Sequence, residues 1–427
     1  MKTLLIQPPS GNPTLKVPPL GIAYIAAVLK RNNIETKIID LNFEHPQLKT
    51  VLADEKPELI GISSMVTNAR QTFNVAEQAK KVLPESFVVM GGPYPSMMKN
   101  TLIARHNEVD AALVGEGEYA FLELAKQLEN GKNLDVKGLI FRKGKQIKTS
   151  SPQKPITHLD MIPFPAREEL KMSRYGENAG VLFTSRGCPQ QCIFCSRPVF
   201  GRQWRGHSPD YVLKEIEQLV DRYGVSMLSV LDDNFTVDLK RAEQILDGIA
   251  EQFSLGIYFW NGLRADHMTE NLVRKLKRAG CRAINFGIES VDPDVISFIR
   301  KGVSLEQIER AIRLARQAGI KANAFLMIGN AKDTRKTADK IIDFVKRVHV
   351  NGVHLSMATP ILGTPFWDWV EKNGRWLNYD TSELLDWPVD DVAGAYPVFE
   401  TPEFTAKQRT NAYMKVKFFL NETGLAL

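Results

Sequence analysis

Twice along this chain, short apolar runs alternate with amphipathic segments, and that rhythm leaves few folds open. In the first stretch LLIQ, TKIID, LIGIS, FVVMGG and AALVG have the length and composition of buried parallel strands. LGIAYIAAVLKRN, HPQLKTVLADE, NARQTFNVAEQAKKVL and GEYAFLELAKQLENG alternate with them at helical spacing. Five βα repeats predict an α/β domain over 1–137 with a doubly wound, Rossmann-like parallel sheet. Ligands on such sheets bind beyond the carboxyl ends of the strands. Small and Gly-rich residues fall there: PPLG after the first strand, SSM after the third, GGP after the fourth and GEGE after the fifth.

The alternation returns from 181 to 357. VLFTS, MLSVLDD, IYFWNGL, AINFGIES, ANAFLMIG and VHLSMAT are six strand candidates with amphipathic segments between them. Six βα units predict a partial (β/α)6 barrel of the TIM type over 176–357, whose site lies at the carboxyl ends of the strands. Residues 138–175 read as a connector. It opens with a hairpin around Lys143-Gly144-Lys145, and Pro163 and Pro165 exclude helix after it. The extension 358–427 holds Trp367, Trp369, Trp376 and Trp387. Two readings stand for these rings: closing the barrel and lining a substrate pocket, or packing as extra core.

Three of the four cysteines, Cys188, Cys192 and Cys195, lie in SRGCPQQCIFCSRP as a CxxxCxxC triad where the first strand of the second stretch ends. Three thiolates can hold three irons of a four-iron cluster and leave the fourth iron open for chemistry. A disulfide would leave one thiol odd. A structural zinc ion would want a fourth ligand, and the nearby candidate is His207. Cys281 stands alone and reads as a small buried hydrophobe.

Polar residues end the later strands. Asp232, Asp233 and Asn234 follow the second, and adjacent acids there are poor core residues. The competing role is an N-cap for the next helix. Asn261 and Arg264 follow the third strand. Arg264 suits either a bidentate pair with a ligand carboxylate or a salt bridge to Asp266 or another barrel acid. Glu289 and Ser290 end the fourth strand, and Gly329 ends the fifth.

Composition sets the class. The 427 residues suffice for two or three domains, and 44% hydrophobic with 24% charged residues is ordinary for globular protein. The opening MKTLLIQPPSG is too short an apolar run for a signal peptide, and no eighteen-residue apolar stretch predicts a membrane span. Few cysteines and a reducible cluster predict a cytoplasmic setting. The net charge of +6 comes without a basic run or basic–aromatic interleaving, so no nucleic-acid partner is expected.

The CxxxCxxC run after a strand resembles the signature of the radical S-adenosylmethionine (SAM) enzymes. That resemblance implies that SAM chelates the open iron and is split into methionine and a 5′-deoxyadenosyl radical. It also implies that Asp232, Asp233 and Asn234 meet the SAM amino group and that Arg264, beside Asn261, meets its carboxylate. Glu289 and Ser290 would meet the ribose hydroxyls, and Gly329 the adenine. The family's usual Pro-Gly-Glu-Thr continuation is replaced by NAKDT.

The N-terminal loops resemble a cobalamin-binding domain, with its pattern DxHxxG…SxL…GG. Here KVPPLG ends at Gly21, 41 residues precede Ser63-Ser64-Met65, and 25 more precede Gly91-Gly92. The resemblance implies a cobalamin site formed by Pro18, Pro19, Leu20, Gly21, Ser63, Ser64, Met65, Gly91, Gly92, Pro93, Gly115, Glu116 and Gly117. Ser63 and Ser64 are suited to the ring nitrogen of the dimethylbenzimidazole tail. Lys16 and Pro18 stand where the pattern has Asp and His, so the family's lower cobalt ligand is absent. A doubly wound domain that has lost its cofactor is the competing reading.

Together these features resemble the cobalamin-dependent, class B-like radical SAM methyltransferases. The implied cofactors are a 4Fe-4S cluster, SAM and methylcobalamin, with an external electron donor of flavodoxin or ferredoxin type. The implied reaction methylates an unactivated carbon of a small molecule or of a peptide or protein residue. Oxidative ring formation and a non-catalytic cobalamin sensor or carrier are the alternatives. No catalytic side chain is assigned.

Overall fold

Strands apolar on both faces must be covered on both faces. In the first domain β1 (Lys2–Gln7), β2 (Glu35–Asp40), β3 (Leu59–Ser63), β4 (Phe87–Gly91) and β5 (Ala111–Leu113) form one parallel sheet. Around it run α1 (Leu20–Arg31), the short α2 (Leu41–Glu44), α3 (Leu48–Glu55), α4 (Ala69–Val82), α5 (Pro93–Met98), α6 (Asn100–Arg105) and α7 (Glu118–Glu129). The computed structural model describes residues 1–10, 16–44, 48–131, 133–377, 381–382 and 396–427, so Trp387 lies outside the described residues.

The strand order is β2-β1-β3-β4-β5. It reverses between β1 and β3, the switch point where ligands of open α/β sheets bind. Two further strands, β6 (Leu139–Lys143) and β7 (Gln146–Thr149), continue the sheet antiparallel from β5. Their two-residue turn is Gly144-Lys145, with Gly144 at φ 61°. The hairpin expected within a connector thus belongs to the first compact unit, which among the described residues holds Met1–Ala179, Arg197–Gly201 and 381–382. It satisfies the otherwise unpaired edge of β5. No local sequence signal reveals that pairing.

The second unit holds Gly180–Ser196 and the described residues of 202–377 and 396–427. Its chain order begins β8 (Val181–Leu182), β9 (Ser185–Arg186), β10 (Arg205–Gly206), α8 (Pro209–Tyr223), β11 (Met227–Val230), α9 (Leu239–Gln252) and β12 (Gly256–Phe259). It continues α10 (Glu270–Arg278), β13 (Ala283–Glu289), α11 (Pro293–Phe298), α12 (Leu305–Gln317), β14 (Lys321–Ile328), α13 (Thr337–Val348) and β15 (Gly352–Met357). Two parallel sheets form, β12-β11-β8 and β13-β14-β15. Bridges at Ile257–Cys281 and Leu263–Phe286 join them into one six-stranded arc. Among the described residues no ladder joins β15 to β8, so the arc is the partial barrel that six βα units predict.

Side chains of Ile257, Phe259, Leu228 and Val230 line one apolar core with Val212 and Ile216 of α8 and Ile245 and Ile249 of α9. The alternate residues, Ser229 and Tyr258 among them, therefore face the other side of the arc. Cys281 is buried at the bridge, where desolvation pushes its thiol up to about 12, so it is an inert packing residue.

The extension holds α14 (Pro365–Asn373), a small ladder of β16 (Arg375–Trp376) with β17 (Phe399–Glu400), and α15 (Ala406–Glu422). Trp367 and Trp376 lie 4.6 Å apart by ring centroids, and Phe366 meets Phe399 edge-on. Phe366, Trp367, Trp369, Trp376 and Phe399 thus pack on one another as a satellite core. After α15, Leu427 donates to the Val353 carbonyl and Val353 to that of Leu425, covering the edge of β15. No helix among the described residues is long and apolar enough to cross a membrane.

The seam between the two sheets is tight. Gly280 sits at φ 91°, and a Cβ there would meet the Leu255 carbonyl oxygen at 1.9 Å. Gly280→Ala is expected to cost about 1–3 kcal/mol in backbone strain and about 1–3 kcal/mol in overpacking. A thermal melt unchanged from wild type would contradict this account of the seam.

Candidate functional site

The cysteine loop departs from β9 and returns at β10. Those strands pair antiparallel, Arg186 with Arg205 and Ser185 with Gly206, and so close the loop at its base. Gly187, at φ 81°, turns the chain into Cys188. Inside the loop the Ile193 N–H donates to the Ile299 carbonyl at 3.0 Å, and the Phe366 N–H donates to the Ile193 carbonyl at 3.1 Å. Arg202 donates to the Gln190 carbonyl. None of the four cysteines pairs in a disulfide, and Cys188 and Cys192 are buried while Cys195 is half-buried.

Asn234, one of three residues that the resemblance puts at the SAM amino group, lies beside the cysteine loop. Its amide donates to Cys188 Sγ at 3.8 Å. Its side-chain oxygen accepts from Thr236, and its carbonyl accepts from the Trp204 indole at 3.1 Å. A donor aimed at a ligand sulfur stabilises the thiolate. Among the described residues no three His, Cys, Asp or Glu side chains converge on one metal ion. A four-iron cluster asks each thiolate for its own iron, so the thiol donor set with its amide donor fits a cluster.

Asp232 is buried, and it joins strand ends. The Thr184 N–H donates to Oδ1 at 2.6 Å, while the Thr184 and Ser185 hydroxyls donate to Oδ2 at 2.5 Å. Burial pushes its carboxyl above the ordinary range, against the opposing pull of the Arg241 charge and these donors. Asp233 beside it is exposed. Asn261 donates to the carbonyls of Leu231 and Asp232, tying the end of β12 to that of β11. Arg264 forks onto Asp266, Nε to Oδ1 at 2.9 Å and Nη2 to Oδ2 at 2.8 Å, and also donates to the carbonyls of Lys301 and Gly302. The salt bridge to Asp266, one of its two sequence readings, is formed in this structure.

Glu289 ends β13 at φ 66°, a region costly for a non-glycine residue and concentrated at functional sites. Its carboxylate accepts from Lys301 Nζ at 2.9 Å. Gly287 leaves room for that pair, because a Cβ there would lie 2.8 Å from both partners. Ser290 is buried and its hydroxyl accepts from the Asp292 N–H.

Gly329 sits at φ 95° after β14. Arg409 of α15 donates to its carbonyl at 2.7 Å, and Asp333 Oδ2 accepts from the N–H groups of Gly329 and Asn330. Burial raises Asp333 to about 7 and lowers Arg409 to about 10. The sequence reading missed both residues. Asp four positions after a strand-ending glycine was the available signal for the turn, whereas Arg409 lies eighty positions away and gave none.

In the first unit the loop glycines divide into two groups. A Cβ on Gly21 or Gly91 would meet nothing within 4 Å. These positions leave space beside the carboxyl ends of β1 and β4, next to the switch point. Pro18 and Leu20 are buried, and Pro19 caps α1. Ser63 ends β3. Ser64 is fully buried, and its hydroxyl has no partner. Gly92, at φ 102°, brings its backbone so close to Ser64 that a Cβ would lie 2.9 Å from the Ser64 carbonyl oxygen. Pro93 starts α5, and Met65 is half exposed. By contrast, a Cβ on Gly115 would strike Gln153 and one on Gly117 would strike Ile25, both at 2.7 Å. Glu116 accepts from the Ile156 N–H at 2.7 Å. Gln153 and Ile25 therefore take the space that a side chain at Gly115 or Gly117 would need, while the spaces at Gly21 and Gly91 with the orphaned Ser64 hydroxyl suit an inserted ligand.

Residues 10–125 match the B12 binding domain and residues 182–345 match the radical SAM superfamily. An uncharacterized methyltransferase of Pyrococcus horikoshii is 31% identical over an alignment covering 98% of this chain and 93% of that protein. The chain belongs to the cobalamin-dependent radical SAM methyltransferase family. An anaerobic magnesium-protoporphyrin IX monomethyl ester cyclase of Synechocystis is 28% identical, with 75% of this chain and 67% of that protein covered. The solved radical S-adenosylmethionine methyltransferase TsrM of Kitasatospora setae, with cobalamin and a [4Fe-4S] cluster bound, superposes with a TM-score of 0.81. That match covers 100% of this chain and 91% of the other at 17% identity, a likeness of fold. The radical SAM match begins at Leu182 on β8, directly before the cysteine loop, and the B12 match spans the Gly21, Ser64 and Gly91 loops.

Proposed function

We propose that this radical SAM methyltransferase methylates an unactivated carbon of a small molecule or of a peptide or protein residue. The observation that carries the reading is the presence in one chain of two prepared sites. One is a cysteine loop with an amide donor on Cys188 sulfur. The other is a switch-point crevice with space at Gly21 and Gly91 and an orphaned Ser64 hydroxyl. When bound, the cluster with SAM supplies a 5′-deoxyadenosyl radical and cobalamin supplies a methyl group.

In this reading Cys188, Cys192 and Cys195 each hold one iron, and Asn234 steadies the Cys188 thiolate. Glu289 keeps a carboxylate at the end of β13 for the ribose hydroxyls, oriented by Lys301. Asp233 and Ser290 stay in the SAM-facing set, with Asn261 and Gly329 shaping the strand ends on which SAM rests. Asp232 and Arg264 act as positioning residues, since their polar atoms are held by Thr184, Ser185 and Asp266. The Ser64 hydroxyl would donate to the cobalamin tail, and Pro18 carries no ligand atom where the family pattern has its histidine. An external one-electron donor of flavodoxin or ferredoxin type would supply the electron that the cluster needs.

The test is a product balance, with fractionated cell extract as the source of substrate. Deoxyadenosine and S-adenosylhomocysteine should form in equal amounts, with a product heavier by one methylene. Deoxyadenosine without matching S-adenosylhomocysteine would replace methylation by ring formation, the second reading that the cyclase relative supports. Neither product would leave a cobalamin sensor or carrier.

A further inference from the structure

The face of the arc turned away from α8 and α9 carries polar and aromatic side chains that neither the cluster nor SAM has claimed. The ladder of β12 continues past its last residue, because the Trp260 N–H donates to the Val230 carbonyl at 3.1 Å. Tyr258 and Trp260 therefore point to the same side. They meet edge to face, with ring centroids 6.4 Å apart. Asn285 on β13 donates its amide to the Tyr258 oxygen at 2.6 Å, and Asn323 on β14 donates to Asn285 Oδ1 at 3.0 Å. This relay fixes the polarity of the row. The Tyr258 oxygen accepts from Asn285 with one lone pair, and its own proton is left to donate elsewhere. The Trp260 indole nitrogen is buried and has no hydrogen-bond partner. An indole N–H is a donor only, and a buried orphaned donor is costly. Two donor-bearing side chains thus stand on one side of the arc. Beside them Phe325 and His354, from β14 and β15, sit 5.0 Å apart by ring centroids on the same face.

We infer that Tyr258 and Trp260 form the substrate-recognition site of this barrel, for a substrate with a flat, largely apolar ring bearing a carbonyl or carboxylate oxygen. The inference rests on the methyltransferase reading for the word substrate. The two N–H and O–H donors receive the oxygen, and the rings of Phe325 and His354 take the flat body. A cationic substrate group is the poorer match for the pair, since the indole offers no acceptor and one lone pair of the Tyr258 oxygen is already taken by Asn285.

The test uses the full-length reconstituted protein and isothermal calorimetry with 1-naphthoate as the acceptor-bearing probe and 1-naphthylmethylammonium as its cationic counterpart. Saturable binding of naphthoate and none of the ammonium compound is expected. Trp260→Phe keeps an aromatic ring and removes the donor. It should weaken naphthoate binding by about 10- to 100-fold, the range for losing one hydrogen bond to a charged group. Tyr258→Phe should weaken it by about 10-fold. Three results each overturn the inference: no naphthoate binding to wild type, unchanged affinity in both Phe variants, or equal binding of the two probes. Deoxyadenosine release by wild type is followed separately. If release is normal while binding fails, the recognition site falls and the radical reading stands. If release is absent while binding behaves as expected, the radical reading falls and a site for aromatic acids stands.

Discussion

Replacing Cys188, Cys192 and Cys195 together by alanine will remove the iron, the brown colour and all SAM cleavage, while cobalamin binding persists. The argument runs from the loop. Its base is closed by the β9–β10 ladder, and its middle is pinned through Ile193 to Ile299 and Phe366. None of these anchors uses a cysteine side chain, so the loop keeps its backbone path without the thiols. What is lost is the donor set itself, and no other described group of His, Cys, Asp or Glu stands ready to replace it. The cobalamin crevice at Gly21, Ser64 and Gly91 belongs to the first unit and contains no member of the triad. Iron by mass spectrometry and deoxyadenosine by chromatography are the measurements, with circular dichroism confirming folding. Iron content equal to wild type in the triple variant would remove the cluster assignment. Asn234→Ala should retain iron and shift the cluster's potential, because the amide donor to Cys188 sulfur is removed while all three ligands remain.

The fold was legible because its signal is local. Buried strands such as LIGIS and AINFGIE announce themselves by length and composition, and the strand-ending loops follow from the βα order. Pairing was less legible. Nothing in LIFRKGKQIKT says that its partner is β5, twenty-eight residues earlier at Ala112 for Ile140, because an edge carries no mark in its own sequence. The site was legible as a set of residue types and less so as a set of roles. Arg264 has Asp266 two positions on, and only geometry decides whether a fork closes on a neighbour or waits for a ligand. Gly91 and Gly115 both look like cradle glycines, yet Gln153, from a distant segment, fills the space at one of them. Tyr258 and Trp260 lie in IYFWNGL, which the sequence marks only as a strand. Their meaning comes from Asn285 and Asn323 on the neighbouring strands, which orient the Tyr258 oxygen as an acceptor.

Asp232→Ala will destabilise the second unit by about 3–5 kcal/mol, the range for removing one partner from a buried charged network, whereas Asp232→Asn will be nearly neutral. The carboxylate collects a backbone N–H from Thr184 and hydroxyls from Thr184 and Ser185. Arg241 packs behind them, donating through Nε to the His207 carbonyl and through Nη2 to that of Thr184. Alanine leaves these donors buried around a hole, and each unsatisfied group costs about 1–3 kcal/mol. Asparagine keeps the shape and one carbonyl acceptor for the Thr184 N–H, and the two hydroxyls can rotate to accept from its amide. The pH dependence separates the two variants further. Burial raises the Asp232 carboxyl above its ordinary value, so its protonated form is favoured in the folded state. That contribution is complete below the ordinary carboxylate range near 4 and is lost as pH rises through the raised folded value. Asp232→Asn should therefore flatten this part of the stability profile and gain on wild type as pH rises. Urea titrations from mildly acidic to neutral pH measure it. If the alanine variant is as stable as the asparagine variant across that range, Asp232 is not the residue that joins β8 to β11, and a direct contact with SAM becomes its better role.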